Sequence, residues 1–129
     1  MGQGIQSFKD LLVWQKAMAL SVLCYELTKG FPKDEMYGMT SQIRRASVSV
    51  PANIAEGHGR EHTRSFVQFL RVAQGSLKEL ETHLMLAEQV QLATADALAP
   101  AYSMTDEVGR MLRALIRSLQ DKLGAPSEA

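Results

Sequence analysis

The sequence predicts an all-α protein, folded as an antiparallel up-down-up-down four-helix bundle. In four successive segments, apolar residues recur at spacings of three and four, the period of a helix that buries one face. No segment shows the strict alternation of apolar and polar residues that is typical of a half-buried strand. The connections between the segments are short, and short connections favour antiparallel neighbours in a bundle.

The composition agrees with a single helical domain over residues 1–129, with residues 1–9 as an N-terminal lead and residues 124–129 as a flexible tail. One Trp, three Tyr and four Phe leave Ala, Leu and Met to build the core, and these are strong helix formers. The 14 acidic and 14 basic residues give a net charge of zero, so the chain lacks the positive excess of many nucleic-acid-binding proteins.

Cysteine content and hydropathy narrow the protein class further. Cys24 is the single cysteine, which excludes an intrachain disulfide and a cysteine-based metal cluster. Residues 1–20 lack the basic start and apolar core of a signal peptide, and no apolar run approaches the ~18 residues of a membrane span. We therefore expect a cytoplasmic protein that has no membrane partner.

The first predicted helix runs from about Asp10 to Lys29, because its apolar residues keep helical spacing over that stretch. Gly30 then marks the stop, since glycine is favoured just past a helix end. The second predicted helix begins between Asp34 and Thr40.

The second predicted helix ends at Gly57, with His58–Gly59 as the turn. Pro51 lies inside it and removes one backbone hydrogen bond, which usually kinks a helix. Apolar spacing nevertheless continues to Ile54, so we expect the helix to persist through Pro51.

The third predicted helix starts at Thr63 as N-cap and ends before a connection at Gln91–Leu92–Ala93. Thr94 is expected to cap the fourth helix, which starts or kinks near Pro100. The apolar seam of the third helix has heptad character and comprises Phe66, Leu70, Ala73, Leu77, Leu80, Leu84 and Ala87. The seam of the fourth helix comprises Leu98, Tyr102, Thr105, Gly109, Leu112, Ile116, Leu119 and Leu123.

An ordered ridge of polar side chains follows the second helix. At about 100° per residue its members lie within about 60° of one another, between two surfaces of apolar or small residues. A polar ridge flanked in this way is expected to be partly buried and paired, at an interior seam or a subunit interface. The ridge comprises Gln42, Arg45, Ser49, Asn53, Glu56 and Arg60, with Glu79 and Glu81 of the third helix as candidate partners of its arginines.

Two interpretations of this ridge stay open at the level of sequence. In the functional one, the ridge faces a nucleic acid or a lumen. In the structural one, Arg45 or Arg60 pairs with Glu56, Glu79 or Glu81, while the other polar groups satisfy the backbone or their neighbours. The apolar flanks favour the structural interpretation.

Four other arginines are the candidates for contact with nucleic acid. Arg44 points away from the ridge, and we expect it to be exposed and able to contact a phosphate. Arg110, Arg113 and Arg117 form a stripe on the fourth helix that could follow a phosphate backbone. A solvated helix surface, paired with nearby aspartates four residues away, is the alternative.

No constellation predicts a catalytic, cofactor or metal site. Glu79, Glu81 and His83 share one helix, but Glu79 lies four residues and Glu81 two residues before His83, whereas a di-iron bundle needs Glu-x-x-His pairs on two helices. Gly57–His58–Gly59–Arg60 follows a helix and lacks P-loop spacing, so it is expected to be a turn. Cys24 lies in an apolar run and is expected to be a core thiol, so we predict a protein that is not an enzyme.

The order of unusual residues resembles a known family. The resemblance extends from about Phe8 to the end of the fourth helix, and matching residues are most frequent between Gln42 and Glu81. The matching segments are Phe8–Ala17, Phe31–Pro32 with Glu35, Tyr37 and Gly38, Gln42–Ala46, Pro51–Gly57 with Arg60, and Phe69–Leu70, Ala73, Gly75–Ser76 and Glu79–Glu81. They resemble the four-helix-bundle proteins encoded by intervening sequences in bacterial 23S rRNA genes.

The resemblance implies an antiparallel bundle that assembles as a homopentamer. It also implies kinship with the accessory protein of diversity-generating retroelements, a basic protein that binds nucleic acid and a reverse transcriptase. RNA and a reverse-transcriptase-type protein are therefore candidate partners of an accessory or scaffold protein. This chain has a net charge of zero, whereas that relative is basic. A purely structural oligomer or a protein-partner adaptor is the alternative function.

Overall fold

Helical propensity and one-sided apolar spacing produce four long helices, which a computed structural model describes for residues 7–124. These are α1 (Leu12–Thr28), α2 (Met39–Gly59), α3 (Thr63–Gln89) and α4 (Ala95–Lys122). Short 3-10 helices at Phe8–Asp10 and Lys33–Glu35 precede α1 and α2. No strand is found within residues 7–124, so the predicted all-α class is confirmed.

The helices pack in a closed ring. Helix α2 lies between α1 and α3, α3 lies between α2 and α4, and contacts between α1 and α4 complete the bundle. Short connections reverse the chain each time, which confirms the predicted up-down-up-down order. Of the predicted lead and tail, residues 1–6 and 125–129 lie outside the described residues.

The predicted apolar seams of α3 and α4 form the core. Every predicted α3 position is buried except Phe66, which packs against the core from its edge. In α4, Ala101 and Val108 are buried where the sequence suggested Tyr102 and Gly109. Tyr102 instead lies at the rim, where its hydroxyl donates a 2.8 Å hydrogen bond to Glu88 Oε1.

The predicted end of α2 at Gly57 is wrong. The helix continues to Gly59, and the left-handed residue beyond its end is Glu61, with φ of 57°. Gly57 is buried, because α3 approaches α2 closely there: a Cβ at Gly57 would lie 2.6 Å from the Cβ of Phe69. Gly57 is needed for the close contact between α2 and α3, and its presence does not mark the end of the helix.

The connection from α3 to α4 matches the prediction more closely. Gln91 is left-handed, with φ of 68°, and the Leu92 N–H donates to Ala87 O at 2.8 Å, as in a Schellman motif. Thr94 is the predicted cap, and its side chain accepts a hydrogen bond from the Ala97 N–H at 3.1 Å. The predicted N-cap at Thr63 is wrong, since His62 holds that position without a side-chain bond.

Both helix-internal prolines are accommodated. Helix α2 runs unbroken through Pro51, as the apolar spacing predicted. Helix α4 begins at Ala95, so its start is set by the Thr94 cap and not by Pro100. Over residues 7–124, every helix is too short or too polar to cross a membrane.

The close approach at Gly57 predicts opposite effects for two Gly→Ala substitutions in helices. Gly57→Ala forces the methyl group against Phe69, and we expect overpacking to lower the free energy of unfolding by about 2 kcal/mol. Gly75→Ala, with no neighbouring atom within 4 Å of the added Cβ, should raise it by about 0.5–1 kcal/mol. Urea unfolding followed by circular dichroism measures both, and an equal gain in both variants would contradict the close contact.

Candidate nucleic-acid interface

The centre of the polar ridge joins α2 to α3. Ser49 Oγ lies 2.7 Å from Ser76 Oγ across the two helices. Asn53 Nδ2 donates to the backbone oxygen of Ser49 at 2.8 Å and to its Oγ at 3.0 Å. All three side chains are half-buried, so their polar groups are satisfied where water has little access. This part of the ridge holds helices together.

The ends of the ridge are exposed. Arg60 Nη2 lies 2.9 Å from Glu56 Oε2, one turn away on the same helix, and the Arg60 guanidinium sits 5.0 Å above the ring of Phe69. Both partners of this ion pair are about half exposed, so it contributes little to stability. Gln42 and Arg45 are also exposed, and no ion pair involves Arg45 within residues 7–124.

The two candidate partners on α3 pair within their own helix. Glu81 Oε1 lies 3.1 Å from Lys78 Nζ, and Glu79 Oε2 lies 3.5 Å from His83 Nε2. The structure thus brings neither Arg45 nor Arg60 to Glu79 or Glu81. His83 Nε2 is buried and makes no hydrogen bond with any other part of the described chain.

Arg44 is held between α1 and α2 instead of extending into solvent. Its Nε donates a 2.8 Å hydrogen bond to Thr28 Oγ1, and its guanidinium lies 4.5 Å from the centre of the Tyr25 ring. Thr28 Oγ1 in turn donates to Cys24 O at 2.8 Å. Arg44 is therefore half-buried and oriented, although its two terminal nitrogens make no hydrogen bond within the described residues.

Behind Arg44, small polar residues bond the two helices. Ser21 Oγ donates to Ser47 O at 2.8 Å, and Ser47 Oγ donates to Arg44 O at 2.9 Å. Cys24 is fully buried beside them, which confirms a core thiol. Burial raises the pKa of this thiol from 9.0 to about 12, and a hydrogen bond with Ser47 only partly opposes that shift. Cys24 is thus kept as the neutral thiol, which is a poor nucleophile.

Of the predicted arginine stripe of α4, Arg113 lines a groove between α3 and α4. We call this the α3–α4 groove; its volume is about 430 Å³. Its charged side chains are Arg71, Lys78, Glu81, Asp106 and Arg113. Glu81 pairs with Lys78, which leaves Arg71 and Arg113 without an ion pair within residues 7–124.

The other two arginines of the stripe differ in their pairing. Arg110 Nη1 lies 2.6 Å from Asp106 Oδ2, so its charge is balanced locally. Arg117 is exposed and has no ion pair in the described part of the chain. Along this face the arginine charge that is not locally balanced therefore belongs to Arg71, Arg113 and Arg117.

The sequence reasoning missed the contribution of α3 to this face. Arg64, Arg71 and Lys78 recur every seven residues, so they lie on one side of α3. The spacing is visible in the sequence, but only the packing of α3 beside α4 places Arg71 and Lys78 opposite Arg113. No aromatic side chain lines the groove, so it suits phosphate contacts better than base stacking.

The predicted turn at Gly57–His58–Gly59–Arg60 is mostly helix. Gly57, His58 and Gly59 form the last turn of α2, and the ring of His58 packs edge-on against Phe66, with centroids 5.7 Å apart. The left-handed residue follows at Glu61. The glycines therefore do not form a loop around a phosphate.

Comparison with known proteins identifies relatives by family and by fold. Residues 9–114 match the family model described as 23S rRNA-intervening sequence protein. The fold is similar to a crystal structure of a protein of unknown function from the S23 ribosomal protein family of Bacteroides thetaiotaomicron. That likeness has a TM-score of 0.73 at 22% identity and covers 81% of this chain and 98% of that one. None of the curated proteins matches the sequence.

The raised pKa of Cys24 predicts a loss of stability in alkali. Because the folded state favours the neutral thiol, this stabilisation is present below pH 9.0 and is lost as the pH rises toward about 12. Urea unfolding of the wild type should therefore show a steeper decline over that range than that of Cys24→Ala, which has no thiol to titrate. Parallel declines would contradict the burial of the thiol in a neutral state.

Proposed function

This chain belongs to the 23S rRNA-intervening sequence protein family, and on that basis we propose that it is a non-enzymatic, self-associating accessory protein that contacts RNA through the α3–α4 groove. The observation that carries the proposal is the pair Arg71 and Arg113, which lie on opposite sides of the groove without ion partners in the described chain. Guanidinium groups placed in this way suit phosphate oxygens. The family description, which refers to an rRNA element, makes RNA the favoured source of those phosphates.

The charge of the groove predicts a moderate affinity. Glu81 and Asp106 lie beside its cations, so the local excess of positive charge is small. Binding should therefore depend on a few phosphate contacts and weaken steeply as salt rises. The absence of aromatic side chains from the lining favours paired RNA, whose bases are stacked on one another and need no protein platform.

The described side chains support a non-enzymatic role. The thiol of Cys24 is buried and its pKa is raised to about 12. Ser76 Oγ is bonded to Ser49 Oγ and not to a histidine base. The buried His83 Nε2 lies 3.5 Å from Glu79 Oε2 and has no hydrogen-bond partner in the described chain. None of these arrangements provides a nucleophile together with an oriented base.

Self-association is supported by an apolar strip on α3. Val72 and Leu86 of α3, and Val90 just after its end, are about half exposed. Val72 and Leu86 lie about 40° apart around the helix, on the solvent side of Ser76, whose hydroxyl bonds Ser49 of α2. Burying such a strip against a second copy would remove apolar surface from water. The family resemblance implies five copies, and Gln42 and Glu56 of the polar ridge are exposed as well.

A structural oligomer without RNA is the second candidate. The observation that favours it is the zero net charge, together with the local pairing of Arg110 by Asp106. In that case the apolar strip would form the functional surface, and the arginines would keep the groove hydrated. A reverse-transcriptase-type protein stays a proposed partner in either case, and the cytoplasm is the proposed location.

RNA binding is tested by removing the two unpaired arginines of the groove. We expect Arg71→Gln with Arg113→Gln to weaken binding of a fluorescein-labelled RNA hairpin and to reduce the slope of log affinity against log salt by about 1.8. Fluorescence anisotropy over a salt series measures both quantities. Lys16→Gln in α1 with Lys29→Gln just after its end removes the same charge and serves as the control. Undetectable binding of the wild type at low salt would leave the structural oligomer as the function.

Self-association is tested by a charge within the apolar strip. We expect Val72→Glu to lower the mass of the assembly in size-exclusion chromatography with light scattering, because a carboxylate cannot be buried there without a partner. Met85→Glu is the matched control, since Met85 is 54% exposed against 52% for Val72 but lies on the groove side of α3. An unchanged mass in Val72→Glu, with unchanged circular dichroism, would remove this face as the interface.

A further inference from the structure

A second surface, on the outer side of α1 and α2, is used neither by the core nor by the α3–α4 groove. It contains two adjoining shallow pockets of about 340 Å³ and about 270 Å³. Both pockets are lined by Tyr25, Arg44 and Arg45, and the smaller one extends to Tyr37 in the turn before α2. We call this continuous region the Tyr–Arg surface.

Tyr37 is the most exposed large side chain of this surface. It is 96% exposed, so it contributes almost nothing to the core and has no packing role in the described chain. Tyr25 is 42% exposed and supports the Arg44 guanidinium from one side. An exposed aromatic ring beside oriented cations is the arrangement that proteins use to stack an unpaired base and hold its phosphate.

Arg44 supplies an oriented guanidinium. Its Nε is held by Thr28 Oγ1 at 2.8 Å, and Thr28 is itself bonded to Cys24 O, so the side chain is anchored to α1. The two terminal nitrogens keep their donors free within the described residues. A guanidinium fixed in this way has already lost most of its conformational entropy, which favours bidentate binding of a phosphate.

The charge of the surface selects an anion. Arg45 is exposed and has no ion pair in residues 7–124, and no carboxylate lines either pocket. Glu35, in the adjoining turn, accepts a 3.0 Å hydrogen bond from the Met39 N–H at the start of α2. A neutral partner would remove two guanidinium groups from water without pairing them, which costs free energy. The phosphates of a phosphodiester backbone can pair with both groups.

We propose that the Tyr–Arg surface binds an unpaired nucleotide of a single-stranded nucleic acid. The base stacks on Tyr37, and the flanking phosphates contact Arg44 and Arg45. This site is separate from the α3–α4 groove, whose lining contains no aromatic ring. The protein would then hold a paired segment on one face and an unpaired segment on the other.

The test uses the full chain and a fluorescein-labelled oligouridylate, whose bases are largely unstacked. We expect Tyr37→Ala to weaken binding by about tenfold or more, because stacking of one base is lost. Tyr37→Phe keeps the ring and should bind within about twofold of the wild type, since the phenol hydroxyl is not needed for stacking. Tyr37 is almost fully exposed, so neither change should alter the circular dichroism spectrum or the melting temperature.

A charge-matched pair separates this surface from general attraction. Arg45→Gln should weaken oligouridylate binding and lower the salt slope by about 0.7, whereas Lys16→Gln, which removes the same charge from the α1–α4 side of the bundle, should not. Undetectable binding of oligouridylate by the wild type at low salt would overturn the proposal. So would an equal loss in Arg45→Gln and Lys16→Gln, or an unchanged affinity in Tyr37→Ala.

The outcomes also separate this site from its competitors. If Tyr37→Ala lowers the mass of the assembly and leaves oligouridylate affinity unchanged, the surface is a subunit interface and the proposal fails. If Arg71→Gln with Arg113→Gln abolishes hairpin binding while oligouridylate binding persists, the two sites are independent, as proposed. If the wild type binds oligouridylate but not the hairpin, the groove proposal fails and the proposal for the Tyr–Arg surface stands.

Discussion

The close approach of α2 to α3 is the constraint on which the rest of the molecule depends. At one end, the missing side chain of Gly57 lets the Phe69 side chain lie against the α2 backbone. Near the middle, the Ser49 and Ser76 hydroxyls share a hydrogen bond that only short side chains can make across such a seam. Because these contacts fix how α2 and α3 meet, they also fix which faces are left for α1 and α4. The two outward surfaces, on opposite sides of the bundle, follow from that arrangement.

Polar groups between the helices have different roles at different depths. Where water is excluded, the Ser21 hydroxyl donates to Ser47 O and joins α1 to α2, while the Ser47 hydroxyl donates to Arg44 O within α2. At the boundary, Thr28 uses the same chemistry to hold Arg44 in one orientation. At the surface, the Glu56–Arg60 ion pair is screened by solvent and adds little stability. Hydrogen bonds from side-chain hydroxyls therefore hold helices together in the core, and at its boundary one of them orients the Arg44 side chain.

The local charge differs from one surface of the chain to another, although the charges of the whole chain sum to zero. Several carboxylates are engaged close to where they occur: Asp106 by Arg110, Glu81 by Lys78 and Glu35 by the Met39 N–H. Arginines without an ion pair in the described chain line both the α3–α4 groove, at Arg71 and Arg113, and the Tyr–Arg surface, at Arg44 and Arg45. Net charge is a poor guide to nucleic-acid binding in such a protein, because a ligand responds to the local field within about 10 Å and not to the total.

The amino-acid sequence by itself determined the helical class, the number and order of the helices, the buried seam of α3 and the thiol in the core, since helical spacing and capping are local properties. It misplaced the end of α2 because a glycine needed for helix contact and a glycine needed for a turn look alike until the partner helix is known. It identified the arginines of α4 as a stripe, but it could not place Arg71 and Lys78 opposite Arg113, nor show that Thr28 and Tyr25 would hold Arg44. Those relations join residues far apart in the chain, and only the tertiary packing of helices against one another decides them.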